Sequence, residues 1–207
     1  MNGTNHREQL KRLLREKSLV RGNIVLSSGK TSNYYLDCKL TTLNPQGALL
    51  TGYSILDLLN SNKIKADAIG GLSMGADPIV SATLVVSALE GKPLSGFLVR
   101  KERKTHGRQK QIEGIEGSVR EVVIVDEVCT TGASTQEAID AAEAEGLRVV
   151  AVVSLVDREE GGSERLRLKY NYHSVFTASE LLEDNERSTS AARGLSQSPR
   201  SETAVEK

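Results

Sequence analysis

Tryptophan is absent from the sequence and phenylalanine occurs twice, which excludes a core built on large rings. Hydrophobic residues make up 38% of the chain, so the core must be aliphatic, built mainly from Val, Leu, Ile and Ala. Two cysteines, Cys38 and Cys129, are too few for a disulfide framework and lack the spacing of a zinc site. Both lie beside apolar runs and read as reduced thiols, as expected of a cytoplasmic protein. Neither sign of charge is in excess: 27 basic and 27 acidic side chains give a formal net charge of +0. That balance argues against a general binder of nucleic acid or of a membrane surface. No stretch approaches the ~20 consecutive apolar residues of a membrane helix. Arg7, Lys11, Arg12 and Arg15 interrupt the first apolar positions, so no signal peptide is expected.

What is present is the pattern of an α/β domain. The 207 residues suit one domain with a core large enough to stand without staples. Leu10, Leu13 and Leu14 at helical spacing predict a helix over residues 6–17. Residues 23–37 read as a hairpin. Asn44-Pro45 pairs a capping side chain with a helix-starting proline, and a helix should run to about residue 60. Short buried strands are expected at 66–70, 94–99, 119–125 and 149–156, with an edge strand at 173–177. Helices are expected at 77–89 and 135–145. Continuous apolar strands alternating with helices predict a mostly parallel sheet covered on both faces. Ligands of such sheets bind at the carboxyl ends of the strands. Residues 1–183 should form a single domain, with a small hood made largely from about 1–45. Residues 184–207 are polar and expected to be a disordered tail.

The strongest chemical signal follows Val122-Val123-Ile124-Val125, where Asp126 and Glu127 end a β-branched strand. Val128, Cys129, Thr130, Thr131, Gly132, Ala133 and Ser134 come next, before a helix. Successive backbone N–H groups of 130–134 at a helix N-terminus make an anion pocket, and Gly132 lets the backbone approach a phosphate. The acids cannot bind phosphate; they suit the hydroxyls of a sugar joined to it, or a metal that the sugar shares. The plainer reading is an ordinary helix cap with acids near a helix dipole. Two acids at the ligand edge of a buried strand favour the sugar-phosphate reading. This run resembles the phosphoribosyl-diphosphate motif of type I phosphoribosyltransferases. In that family the acids hold the ribose hydroxyls and the loop wraps the 5-phosphate. The family more often carries Glu-Asp or Asp-Asp where this chain has Asp126-Glu127.

Three further segments narrow the resemblance to the orotate phosphoribosyltransferases. Arg100-Lys101-Glu102-Arg103-Lys104-Thr105-His106-Gly107 opens a long polar segment; such a run is usually a solvated face, but long structureless loops are often lids. It is similar to the family's mobile catalytic loop, which implies diphosphate contacts from Arg100, Lys101, Lys104 and His106. It also implies a homodimer whose 100–117 loop reaches the neighbouring subunit. Asp157-Arg158 matches an Asp-Arg pair whose arginine meets the orotate carboxylate, with Thr130 also touching the base. Residues 26–35 resemble the hood over the base, which implies Tyr35 as the stacking ring; a core tyrosine is the competing reading. Residues 70–78 resemble the diphosphate loop. Some members have Lys where this chain has Ser27 and Gly75.

The resemblance implies the type I phosphoribosyltransferase fold and transfer of a phosphoribosyl group to orotate. Catalytic work would fall to Lys104, His106 and Asp126, with Mg2+ carried by the substrate rather than by protein ligands. Two other readings remain: transfer to another base such as uracil or a purine, which Arg158 opposes, and a non-catalytic sensor of phosphoribosyl diphosphate.

Overall fold

The computed structural model describes residues 5–25, 31–101, 111–115 and 117–183. The expected tail at 184–207, and the centre of the expected lid with Lys104 and His106, lie outside the described residues.

Helix α1 (His6–Lys17) starts where the Asn5 side chain accepts from the Glu8 amide, and it buries Leu10 and Leu14. Strands β1 (Leu19–Val25) and β2 (Thr31–Leu36) pair antiparallel as a two-stranded sheet of their own. A single turn, α2 (Lys39–Thr42), leads to α3 (Pro45–Ser61), whose first amides at Gln46 and Gly47 are capped by Asn44. Strand β3 (Ala68–Leu72) is buried throughout, and α4 (Asp77–Leu89) follows. Then come β4 (Ser95–Val99), the short β5 (Ile112–Glu113) and β6 (Glu121–Cys129). Helix α5 (Ala133–Ala144), β7 (Arg148–Asp157), α6 (Gly162–Arg167), β8 (Tyr172–Thr177) and α7 (Ala178–Leu182) complete the chain.

The main sheet has the order β5-β4-β3-β6-β7-β8. All its pairings are parallel except β4 with β5. Alternation along β6 feeds two cores: Val123 and Val125 pack with α1, α3 and α4, while Val122 and Ile124 pack with α5. These layers agree with the sequence reading, and so does the edge position of β8.

The element ends differ in an instructive way. Strand β3 runs through Gly70 and Gly71 to Leu72 rather than stopping at 70. A Cβ on Gly71 would lie 2.1 Å from the Val125 carbonyl oxygen, so only glycine lets β3 come this close to β6. Strand β6 does not end at the acids; it continues to Cys129, paired with β7 as far as Asp157. On its other side the register with β3 covers only Ala68–Gly70 against Val122–Ile124. Asp126 and its successors therefore form a rim with one edge bonded and the other facing the loop after β3. Helices α2, α6 and α7 went unread because four to six residues carry too little periodicity.

Candidate active site at the carboxyl rim of the sheet

The rim is assembled by backbone bonds between two loops. The Arg158 amide donates to the Cys129 carbonyl at 2.9 Å, and the Gly162 amide to the Thr130 carbonyl at 3.0 Å. A Cβ on Gly162 would sit 2.4 Å from the Thr130 oxygen and 2.6 Å from the Gly132 nitrogen. Gly132 itself has φ +73, a left-handed turn that opens α5 and gathers the amides that follow it. Thr131, Ala133 and Ser134 are exposed, while the Cys129 side chain is buried. Burial pushes the Cys129 thiol up, so at this position only the backbone is available to a ligand.

Asp126 and Glu127, neighbours in sequence, diverge to opposite faces of β6 as strand geometry requires. Asp126 accepts from the hydroxyls of Ser134 and Thr135, each at 2.7 Å, and from the Glu127 amide at 2.8 Å. It thereby anchors the start of α5. Glu127 turns to the other face and pairs with the Lys39 ammonium from α2; the Thr42 hydroxyl lies 3.5 Å away. Burial raises the Glu127 carboxyl above its ordinary range, against the pull of Lys39. Burial works against the Lys39 charge as well, but Glu127 outweighs it and holds the ammonium above its usual range. Asp37 adds to the rise of both groups, and Asp126 to that of Glu127, as smaller contributions.

Arg158, at the end of β7, is largely covered, its side chain 11% exposed. Its Nε donates to the Tyr34 hydroxyl at 3.1 Å and its guanidinium carbon lies 4.8 Å from the Tyr34 ring centre. Its Nη2 meets Glu160 at 2.9 Å. The tyrosine expected at the base is Tyr35; the tyrosine that contacts Arg158 is its neighbour, Tyr34. Tyr34 is 9% exposed and faces Arg158, whereas Tyr35 is 44% exposed on the other side of β2. Alternation carried the signal: Ser32, Tyr34 and Leu36 form the covered face of the strand.

In the loop after β3, the Ser73 amide donates to the Val99 carbonyl at 2.8 Å, and the Ser73 hydroxyl to Asp77 at 3.2 Å. Gly75 is close enough to the acids that a Cβ there would stand 3.2 Å from Asp126 Oδ1. Arg100 begins the polar segment after β4; its amide donates to Gln111 at 2.9 Å and its side chain pairs with Glu113 at 3.4 Å. Lys101 is exposed. The rim thus carries two contact sets, Arg158 with Tyr34 and Glu127 with Lys39 and Asp126, with Thr130 tied to Gly162. Arg100 and Lys101 stand at the end of β4, with β3 between them and β6. Lys39 went unread because a lone cation between Cys38 and Leu40 has no motif around it. The one hint was the longer acid at Glu127, whose extra methylene reaches toward α2.

Comparison with known proteins decides the family. The Phosphoribosyl transferase domain description matches residues 53–187. An orotate phosphoribosyltransferase of Aquifex aeolicus is 42% identical over 180 residues, 85% of this chain and 97% of that one.

The chain belongs to the orotate phosphoribosyltransferase family.

Solved structures of orotate phosphoribosyltransferases agree. The Mycobacterium tuberculosis enzyme, in complex with Fe(III) dicitrate, superposes with a TM-score of 0.76 at 35% identity, covering 86% of this chain and 99% of that one. The same enzyme in complex with 5-phospho-alpha-D-ribosyl 1-diphosphate gives 0.71 at 33% identity, over 85% of this chain and 98% of that one. The six-stranded sheet with its flanking helices is therefore the type I phosphoribosyltransferase fold.

Proposed function

We propose that this chain transfers the phosphoribosyl group of 5-phosphoribosyl-1-diphosphate to orotate, giving orotidine 5-monophosphate and diphosphate, a step of pyrimidine nucleotide synthesis. One observation carries the reading: a guanidinium fixed by Tyr34 stands beside an amide-rich helix start and an acid pair on a single rim. A planar guanidinium suits a carboxylate, the amides suit a phosphate, and the acids suit sugar hydroxyls. Orotate bears a carboxylate; uracil and the purines do not.

In this reading the amides of 130–134 hold the 5-phosphate, with Val128 and Cys129 contributing backbone only. Asp126 and Glu127 reach the ribose hydroxyls over the rim, Asp126 giving up hydroxyl partners that it now shares with α5. Arg158 and Thr130 meet the base. Tyr34 accepts from Arg158 and keeps its own proton to donate to the base. Arg100, Lys101, Lys104 and His106 meet the diphosphate, where charge grows as the C1–O bond breaks. The base nitrogen then attacks the cationic sugar carbon from the opposite face. Orotate's nitrogen is readily deprotonated, so the protein's work is positioning and charge stabilisation rather than strong base catalysis.

Magnesium fits this site on the excess of Asp37, Asp126 and Glu127 over Lys39. Among the described residues no cluster of three or more His, Cys, Asp or Glu side chains could cage a metal. That donor set suits a cation that takes most of its ligands from the diphosphate and sugar, whose charge it would offset.

A second copy of the chain is the natural cover for an apolar groove of about 600 Å³ between α3 and α4, lined by Leu43, Pro45, Leu49, Pro78 and Val85. Leu43 is 69% and Val85 61% exposed. Sedimentation at twice the monomer mass is expected, and a monomer at micromolar concentration contradicts the dimer. Two buried, unpaired thiols support placement in the cytoplasm, and no described helix is long and apolar enough to cross a membrane.

The activity is tested by following orotate absorbance with and without phosphoribosyl diphosphate and magnesium. Orotate should disappear only when both are present, with one diphosphate released per orotate. No loss of orotate, or equal use of uracil, rejects the proposal.

A further inference from the structure

We infer that Glu160 is an internal competitor for the guanidinium of Arg158, displaced when orotate or its nucleotide brings its own carboxylate. The inference rests on Arg158 being the residue that meets the base carboxylate.

A guanidinium holds a carboxylate in a forked bond on one of two edges, Nε–Nη2 or Nη1–Nη2, and Nη2 belongs to both. In this structure Nε donates to the Tyr34 hydroxyl at 3.1 Å, and Nη2 forms an ion pair with Glu160 at 2.9 Å. A second carboxylate approaching Arg158 meets the charge of the first beside it.

The backbone is set to aim Glu160 this way. Glu159 has φ +59 and Gly161 φ +90, so Glu160 sits between two left-handed residues. The Glu159 amide donates to Asp157 at 2.9 Å, and its carboxylate accepts from the Ser179 amide at 2.8 Å at the start of α7. On the other side the Gly162 amide is fixed to Thr130. The two glutamates therefore part: Glu159 goes to α7 and Glu160 returns over Arg158.

Release of Glu160 is inexpensive. Its side chain is already 46% exposed and swings into water, while Arg158 stays in place on Tyr34. The exchange replaces one carboxylate by another, so the guanidinium is paired before and after. A base without a carboxylate cannot make the exchange and leaves the internal pair in place. The competition lowers affinity for an acidic base and leaves other bases unaffected, so it tempers the preference that Arg158 creates. A partly exposed ion pair of this kind lowers apparent affinity by about two- to five-fold.

The test is titration calorimetry of the full chain with orotidine 5-monophosphate and with uridine 5-monophosphate, which lacks the carboxylate. Glu160→Gln should bind orotidine 5-monophosphate about two- to five-fold tighter and uridine 5-monophosphate unchanged. Unchanged or weaker binding of orotidine 5-monophosphate, or an equal change for both nucleotides, overturns the inference. Arg158→Gln measured alongside separates the two levels of the argument. It should abolish the preference for the acidic nucleotide. If that preference persists, the base site has been misplaced and the role of Glu160 falls with it.

Discussion

Parity along a strand decides which tyrosine of the hairpin meets Arg158. Tyr34 and Tyr35 are adjacent and chemically alike, yet one lies against Arg158 and the other against solvent. Removing the Tyr34 hydroxyl deletes one hydrogen bond to a charged partner, worth about 1.5–3 kcal/mol when fully made. Tyr34→Phe should raise the orotate KM by about ten-fold with little change in the KM for phosphoribosyl diphosphate, whereas Tyr35→Phe should match the wild type in both. Steady-state kinetics with each substrate varied in turn checks this, and a larger effect at Tyr35 would return the role to that residue. The choice was legible, because Leu36 is the apolar residue of that strand and shares its face with Tyr34. The pairing of Glu127 with Lys39 was not legible. It joins residues 88 apart through two elements whose approach depends on packing. The same holds for the divergence of the acid pair, which follows from β6 running past residue 125 to Cys129.

Loops set the relation between the start of α5 and Arg158 across the rim. The helices over 6–17 and 77–89 were readable to the residue, the first from its apolar spacing and the second from an opening proline and a following glycine. The connection 157–162 had no such agreement. Its conformation depends on contacts with Thr130, Gly132 and Ser179, all distant in sequence. Gly162 is the tightest of these contacts, and a side chain there meets backbone atoms that cannot step aside. Gly162→Ala should cost about 2 kcal/mol of stability by strain and overpacking, read from the urea midpoint. It should also weaken both substrates, because it parts the two loops at their shared bond. Loss of orotate affinity alone, with phosphoribosyl diphosphate binding intact, would contradict the view of the rim as one unit.

At the scale of the molecule, a neutral chain concentrates opposite charges at one edge of its sheet. Carboxylates crowd around Lys39 on one part of the rim, while Arg158 stands on another. The layers and the mostly parallel sheet were readable from alternating apolar segments. Which side chains meet across that edge was not, because α2, the hairpin and the 157–162 turn come together only on folding. In the proposed function Arg158 carries the distinction between orotate and other bases, so it carries the central claim. The most direct measurement is initial-rate kinetics of Arg158→Ala with orotate and phosphoribosyl diphosphate varied independently. The account predicts an orotate KM raised by about ten-fold or more, from loss of a charge-assisted bond, with the KM for phosphoribosyl diphosphate within about two-fold of wild type. An orotate KM that does not move would contradict it.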